Sequence, residues 1–210
     1  MEELNLRLIL VRHGSTIWNA EGKYQGTMDV PLSDKGRQEA QMVAERLRDE
    51  DITAIYSSDL VRARETAEII ARPHGLPVKV IPEFGEINFG DWEGLTAQEI
   101  REKFGEEVYR TWLEDPINAD ISGGDRITDF AERVVKGFNQ VIEAHPDDTV
   151  VLATHGGALM ALGCHLHGED LNCFRKYYHH NAAISVVEVE GDVCRFVHLN
   201  YQEHLQKEKQ

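Results

Sequence analysis

The chain has 210 residues, 41% of them apolar and 28% charged, with a formal net charge of −15. A chain of that length buries one sizeable core, so a single domain over residues 1–210 is expected. The acidic balance excludes non-specific binding to nucleic acid or to an anionic membrane surface, and no apolar run approaches the roughly 20 residues of a membrane span.

Residues Met1–Arg7 carry Glu2 and Glu3 where a secretory signal has basic and apolar regions. A cytoplasmic location is the expectation. Leu8–Val11 is a short run of branched apolar residues, the pattern of a strand buried on both faces. It ends abruptly in Arg12-His13-Gly14. Ligands of open α/β sheets bind at such strand ends. An imidazole there is a candidate nucleophile, and a guanidinium beside it a candidate anion clamp. Gly14, Ser15 and Thr16 offer backbone N–H groups and hydroxyls to the same anion. Taken alone, an Arg-His pair is ordinary surface loop; later residues must complete the site.

A polar loop follows Asn19. Ser33 is predicted to cap a helix with the apolar stripe Ala40, Val43, Ala44 and Leu47. Ile52–Ser57 reads as a second strand, and Leu60–Arg72 as a helix capped by Ser58 or Asp59. Arg62 and Arg64 in its first turns oppose the helix dipole. A nearby anionic ligand would remove that conflict for Arg62, while Arg64 is expected to pair with Glu65 or Glu68 in solvent. Val78–Ile81, between Pro77 and Pro82, is a third strand.

Glu83–Gly94 interleaves glycines and aromatics with four carboxylates, Glu83, Glu86, Asp91 and Glu93, any of which suits a proton donor. Thr96–Trp112 has a helical pattern opened by a Thr96/Glu99 capping box. Together with the irregular stretch that follows, residues 83–125 read as a cap-like insertion that roofs a site. Arg126–Ala144 is a long amphipathic helix. Thr149–Ala153 is another buried strand, and it ends in Thr154-His155-Gly156-Gly157, repeating the logic of the first. Ala158–His167 is helical. Ile184–Val189 and Cys194–Leu199 form a hairpin around Gly191-Asp192, whose free edge offers a homodimer contact. The charged tail from Gln206 is expected to fray. Cys164, Cys173 and Cys194 are widely spaced and read as reduced thiols. Cys164 and His167 are one helical turn apart but are too few for a metal site.

Short buried strands alternating with amphipathic helices predict an α/β, three-layer sandwich with a mostly parallel central sheet flanked by helices. The strand ends then share one edge. That gathers Arg12, His13, Arg62 and His155, with the 83–93 loop close by. Two imidazoles, two guanidiniums and a carboxylate suit phosphoryl transfer with no metal or cofactor. The arginines hold a dianion, a neutral imidazole attacks phosphorus, and a carboxylic acid protonates the leaving oxygen.

The sequence resembles the histidine phosphatase superfamily, the phosphoglycerate-mutase-like proteins, over nearly its whole length. The carriers are Leu10-Val11-Arg12-His13-Gly14 with Asn19, Ser57-Ser58-Asp59-Leu60-Val61-Arg62-Ala63 with Thr66-Ala67, Glu86–Gly94, and Thr154-His155-Gly156-Gly157. The resemblance implies that His13 is the nucleophile that becomes phosphohistidine. It implies that Arg12, Arg62 and His155 form the phosphate pocket, with Asn19 and Gln25 as further phosphate donors. Glu86 matches the proton donor in preference to Glu83, Asp91 and Glu93.

The implied substrate is a small phosphorylated metabolite: phosphoserine, a phosphoglycerate, a sugar phosphate or α-ribazole phosphate. Mutases that share this core carry a longer insertion with paired arginines. Here Arg101, Lys103 and Arg110 are never adjacent, which favours a phosphomonoesterase over a cofactor-dependent mutase. A catalytically dead phosphate-binding or scaffold protein is the third reading, disfavoured because every site residue is present. Asp125-Arg126 follows Gly123-Gly124 where many relatives resemble Gly-Gly-Glu-Ser, so Arg126 either reaches a substrate anion or lies in solvent. His179, His180 and Asn181 are further pocket candidates. Tyr24, Phe89 and Trp92 either wall the pocket or pack in the core.

Overall fold

In a computed structural model, which describes residues 5–191 and 193–206, the opening apolar run becomes β1 (Asn5–Arg12) near the middle of a six-stranded sheet. On one side β1 pairs in parallel with β4 (Thr149–Thr154), beyond which lie β2 (Ala54–Ser57) and β3 (Val78–Val80), also parallel. On the other side come antiparallel β5 (Ile184–Glu190) and β6 (Val193–Tyr201). The sheet is therefore mostly parallel, with an antiparallel hairpin closing one end. Residues 1–4, Asp192 and the tail 207–210 lie outside the described residues.

Leu8–Val11 and Val150–Ala153 are fully buried, because both faces of the sheet are covered. Side chains that alternate along these strands feed two separate cores. Leu6, Leu8, Leu10, Val150 and Leu152 pack with Phe130, Val134 and Phe138 of α6 (Ile127–Ala144) and with Leu159 and Leu162 of α7 (Gly156–His167). Ile9, Val11, Val151 and Ala153 pack with Val43 and Leu47 of α2 (Asp34–Leu47) and with Ala67 and Ile70 of α3 (Val61–Ala71). Each of the larger side chains among them contributes about 1.5–3 kcal/mol by leaving water. A single turn, α1 (Ile17–Ala20), follows β1. No helix among the described residues is long and apolar enough to cross a membrane.

Three local expectations change. The helix expected over 96–112 is two, α4 (Ala97–Phe104) and α5 (Glu106–Glu114). Gly105 between them has φ +101°, a conformation that breaks an α-helix and suits only glycine. The Thr96/Glu99 capping box does open α4. At α3 neither Ser58 nor Asp59 serves as the side-chain cap. The Ser58 hydroxyl lies 2.7 Å from His155 Nε2, and the Val61 N–H donates to Asp29 Oδ1 at 2.7 Å. Finally, α7 begins at Gly156, directly after His155, rather than at Ala158.

Candidate active site

Arg12 and Thr154 are in register at the ends of β1 and β4, so His13 and His155 leave the sheet side by side. Their ring centroids are 5.2 Å apart. His13 Nδ1 lies 2.7 Å from the Gly14 carbonyl. A carbonyl only accepts, so Nδ1 carries the proton and the lone pair is on Nε2. Burial drives the His13 pKa well below the ordinary imidazole value; the charges of Arg62 and Arg12 act the same way, against the Gly14 acceptor. His155 is lowered too, by burial first and then by Arg62. The Ser58 hydroxyl can donate to His155 Nε2, which leaves the proton on Nδ1. That Nδ1 is buried with no protein partner.

Arg12 Nη1 donates to the His179 carbonyl at 2.5 Å and to the Tyr178 hydroxyl at 3.3 Å. Arg62 is almost wholly buried. Its Nη1 donates to Met28 O at 2.8 Å and its Nη2 to Gly26 O at 2.7 Å. Burial lowers the Arg62 pKa to about 10, so it stays cationic at neutral pH. Nε of both arginines is buried without a protein acceptor. An unsatisfied buried donor costs about 1–3 kcal/mol. Three of them around one neutral imidazole describe a place for an anion.

Asn19 and Gln25 line the cavity together with Arg12, His13 and Arg62. Asn19 Oδ1 accepts from Thr16 N at 3.0 Å and Asn181 Nδ2 at 3.2 Å; Gln25 Oε1 accepts from Thr16 Oγ1 at 2.9 Å. With the amide oxygens engaged, the nitrogens remain as donors. Glu86 lines the same cavity, of about 230 Å³. Its Oε1 accepts from Ile87 N at 3.0 Å and its Oε2 from Gly157 N at 3.1 Å. A Cβ on Gly157 would fall 2.2 Å from Glu86 Oε1, so only glycine permits this approach. The competing carboxylates are elsewhere. Glu83 pairs with Lys136 at 3.3 Å, Asp91 is exposed, and Glu93 accepts from Thr27 N at 2.7 Å.

Residues 8–202 match the histidine phosphatase superfamily (branch 1). The chain belongs to the histidine phosphatase superfamily. It is 37% identical to phosphoserine phosphatase 1 of Hydrogenobacter thermophilus, over 95% of this chain and 94% of that one. It is 42% identical to phosphoglycerate mutase-like protein 4 of Arabidopsis thaliana, over 74% of this chain and 68% of that one. Among solved structures, YhfR of Bacillus stearothermophilus superimposes with a TM-score of 0.91 at 31% identity, covering 96% of this chain and all of that one.

In this member of the superfamily some supporting residues carry no local sequence signal, Arg133 above all. Arg133 of α6 donates to the carbonyls of Glu83 at 3.0 Å, Gly85 at 3.1 Å and Glu86 at 3.2 Å. It fixes the backbone that presents Glu86. Asn181, one of the pocket candidates, is not on the cavity lining; its Nδ2 donates to the His13 carbonyl at 3.1 Å. Met160, Trp112, Phe174, Arg175 and Tyr178 join Tyr24 and Phe89 on the cavity wall, while Trp92 is core.

His179 does not face the cavity. Its Nδ1 donates to Tyr177 O at 2.7 Å and its Nε2 accepts from Ser185 Oγ at 2.7 Å, while its own carbonyl anchors Arg12. His180 is exposed. Arg126 lies at the surface, donating to Ile117 O at 3.1 Å, and Asp125 accepts from Asn88 N at 3.0 Å. Arg64 pairs with Glu68 at 3.8 Å in solvent. Burial raises the Cys164 thiol to about 11, and His167 Nδ1 donates to Gly163 O at 2.9 Å. A wider groove of about 760 Å³ between α6 and α7 contains none of the site residues.

The buried imidazoles make stability depend on acid. His13, His155 and His179 all have lowered pKa values, His179 down to about 4 chiefly by burial. Once unfolded, each binds protons near the ordinary pKa of about 6.5, so the unfolded state gains protons first as pH falls. Stability is full above about pH 6.5 and declines below it, by up to about 1.4 kcal/mol per pH unit for each group. The urea midpoint is expected to be lower at about pH 5 than at about pH 7. Equal midpoints would mean that these rings are not neutral in the fold.

Proposed function

We propose that the chain is a metal-independent phosphomonoesterase that passes the phosphoryl group of a small phosphorylated metabolite to His13 and then to water. The observation that carries this reading is a neutral His13 with its lone pair on Nε2, ringed by buried donors on Arg12, Arg62 and His155 that no protein atom satisfies. Phosphoryl transfer is mostly positioning and electrostatics, which is what such a ring supplies.

Arg12, Arg62, His155, Asn19 and Gln25 bind the non-bridging oxygens. Nε2 of His13 forms the P–N bond as the bond to the leaving oxygen breaks, and the Gly14 carbonyl steadies the charge that develops on Nδ1–H. In its acid form Glu86 gives a proton to the leaving oxygen. As a carboxylate it then takes a proton from water, whose oxygen bonds to phosphorus as the P–N bond breaks. Histidine and acid both return to their starting states. His155 acts throughout as a donor to the transferring group.

Relatives named as phosphoserine phosphatase and as phosphoglycerate mutase-like frame the two catalytic readings. Hydrolysis is favoured because Arg101, Lys103 and Arg110 are never adjacent, so the cap has no paired cations for a second phosphorylated molecule. The test is phosphate release from a panel of phosphomonoesters, with 3-phosphoglycerate run with and without 2,3-bisphosphoglycerate. Phosphate release without isomerisation is expected. Bisphosphoglycerate-dependent isomerisation with little phosphate release would make the protein a mutase. A homodimer through β6 is part of this reading, supported by exposed Val193, Val197 and Leu199 along its edge. A monomer mass in light scattering would remove it.

A further inference from the structure

Four cationic side chains line the cavity, and three are already engaged. Arg12 is held by His179 O and Tyr178, Arg62 by Met28 O and Gly26 O, and Lys23 by Glu21 at 2.7 Å. The fourth, Arg175, makes no hydrogen bond or ion pair through its guanidinium among the described residues. It sits in the 3-10 segment Leu171–Tyr177, with its guanidinium carbon 5.3 Å from the centre of the Trp112 ring. The surrounding wall of Trp112, Phe174, Met160 and Tyr178 contains no carboxylate. Glu86, the one carboxylate on the lining, already accepts two backbone N–H groups. Stacking on an indole fixes the plane of a guanidinium and leaves its edge free for a bidentate acceptor.

We infer that Arg175 recognises a carboxylate on the substrate, so that this site takes phosphate esters of small hydroxy acids or amino acids. The inference rests on the phosphomonoesterase reading above and narrows it. Charge balance selects a carboxylate over a second phosphate. The first phosphoryl group already has two guanidiniums, whereas a second dianion would face one. Size agrees, since about 230 Å³ is below the roughly 300–1,000 Å³ of clefts that take drug-sized ligands.

The test compares O-phosphoserine with O-phosphoethanolamine, which is the same molecule without its carboxylate, and 3-phosphoglycerate with glycerol 3-phosphate. In the native enzyme the acid of each pair should have the higher kcat/KM, by about tenfold or more. In Arg175→Met, whose stem still packs on Trp112, both ratios should collapse towards one, with the loss in KM rather than kcat. Arg175→Lys should restore part of the preference.

Ratios unchanged in Arg175→Met, or no preference in the native enzyme, would overturn the inference while leaving the phosphatase reading intact. A larger penalty on propane-1,3-diol bisphosphate than on phosphoserine would also overturn it, by making the second anion a phosphate. Failure of the native enzyme to hydrolyse any of these esters would instead remove the phosphatase reading itself.

Discussion

His13→Ala will abolish turnover and phosphohistidine formation together. The expected fall in kcat is at least about 10⁴-fold, the scale seen when a covalent nucleophile is removed. The unpartnered buried nitrogens proposed to hold phosphate, on Arg12, Arg62 and His155, remain in the variant. Inorganic phosphate should therefore still bind, and its binding should still raise the unfolding temperature. That separates loss of the nucleophile from loss of the fold. Near-normal turnover, or an acid-labile phosphoryl label that persists on the variant, would assign the attack to another residue.

Glu86→Gln will discriminate between leaving groups. For alkyl phosphates such as phosphoserine, kcat should fall by about 10²–10⁴-fold, the usual contribution of a positioned general acid. For p-nitrophenyl phosphate, whose leaving group departs with little protonation, the loss should be much smaller. A common loss for both substrates is also expected. Both carboxylate oxygens accept backbone N–H groups, from Ile87 and Gly157, so a Gln amide must set its NH₂ against one of those donors. The general-acid role is read from the difference between substrates. Equal losses would make Glu86 a structural acceptor and send the search for the acid elsewhere.

Much of this site is legible in the sequence because its signals are local. Each imidazole comes one residue after an apolar run, beyond Arg12 or Thr154, and is followed by glycine, so strand, side chain and turn appear within a few residues of one another. Parallel pairing then brings His13 and His155 together, as expected for strands that end on one edge. Asn19 and Gln25 fit the same logic, since both are tied to Thr16 in the loop just after β1.

What escapes the sequence is long-range. Arg133 reads as the polar face of a helix, and only the tertiary fold brings it to carbonyls of the Glu83–Glu86 segment. Asp29 caps α3 from a distant loop, displacing Ser58, the better local candidate, because that hydroxyl serves His155. Arg175 lies in a short segment with no periodicity, and its place on the cavity wall depends on Trp112.

The order of the strands also decides when the enzyme can exist. β4 lies between β1 and β2, yet it begins only at Thr149, after most of the chain has been made. Until it inserts, β1 and β2 share no ladder, and His13 has no second histidine beside it. The closing step is non-local, and such steps are slow because the loop-closure entropy is lost before the contacts form. A nascent or truncated chain ending before β4 therefore has the proposed nucleophile but lacks His155 and the sheet neighbour that places it beside His13. During refolding, activity should emerge with the last phase of sheet formation rather than ahead of it.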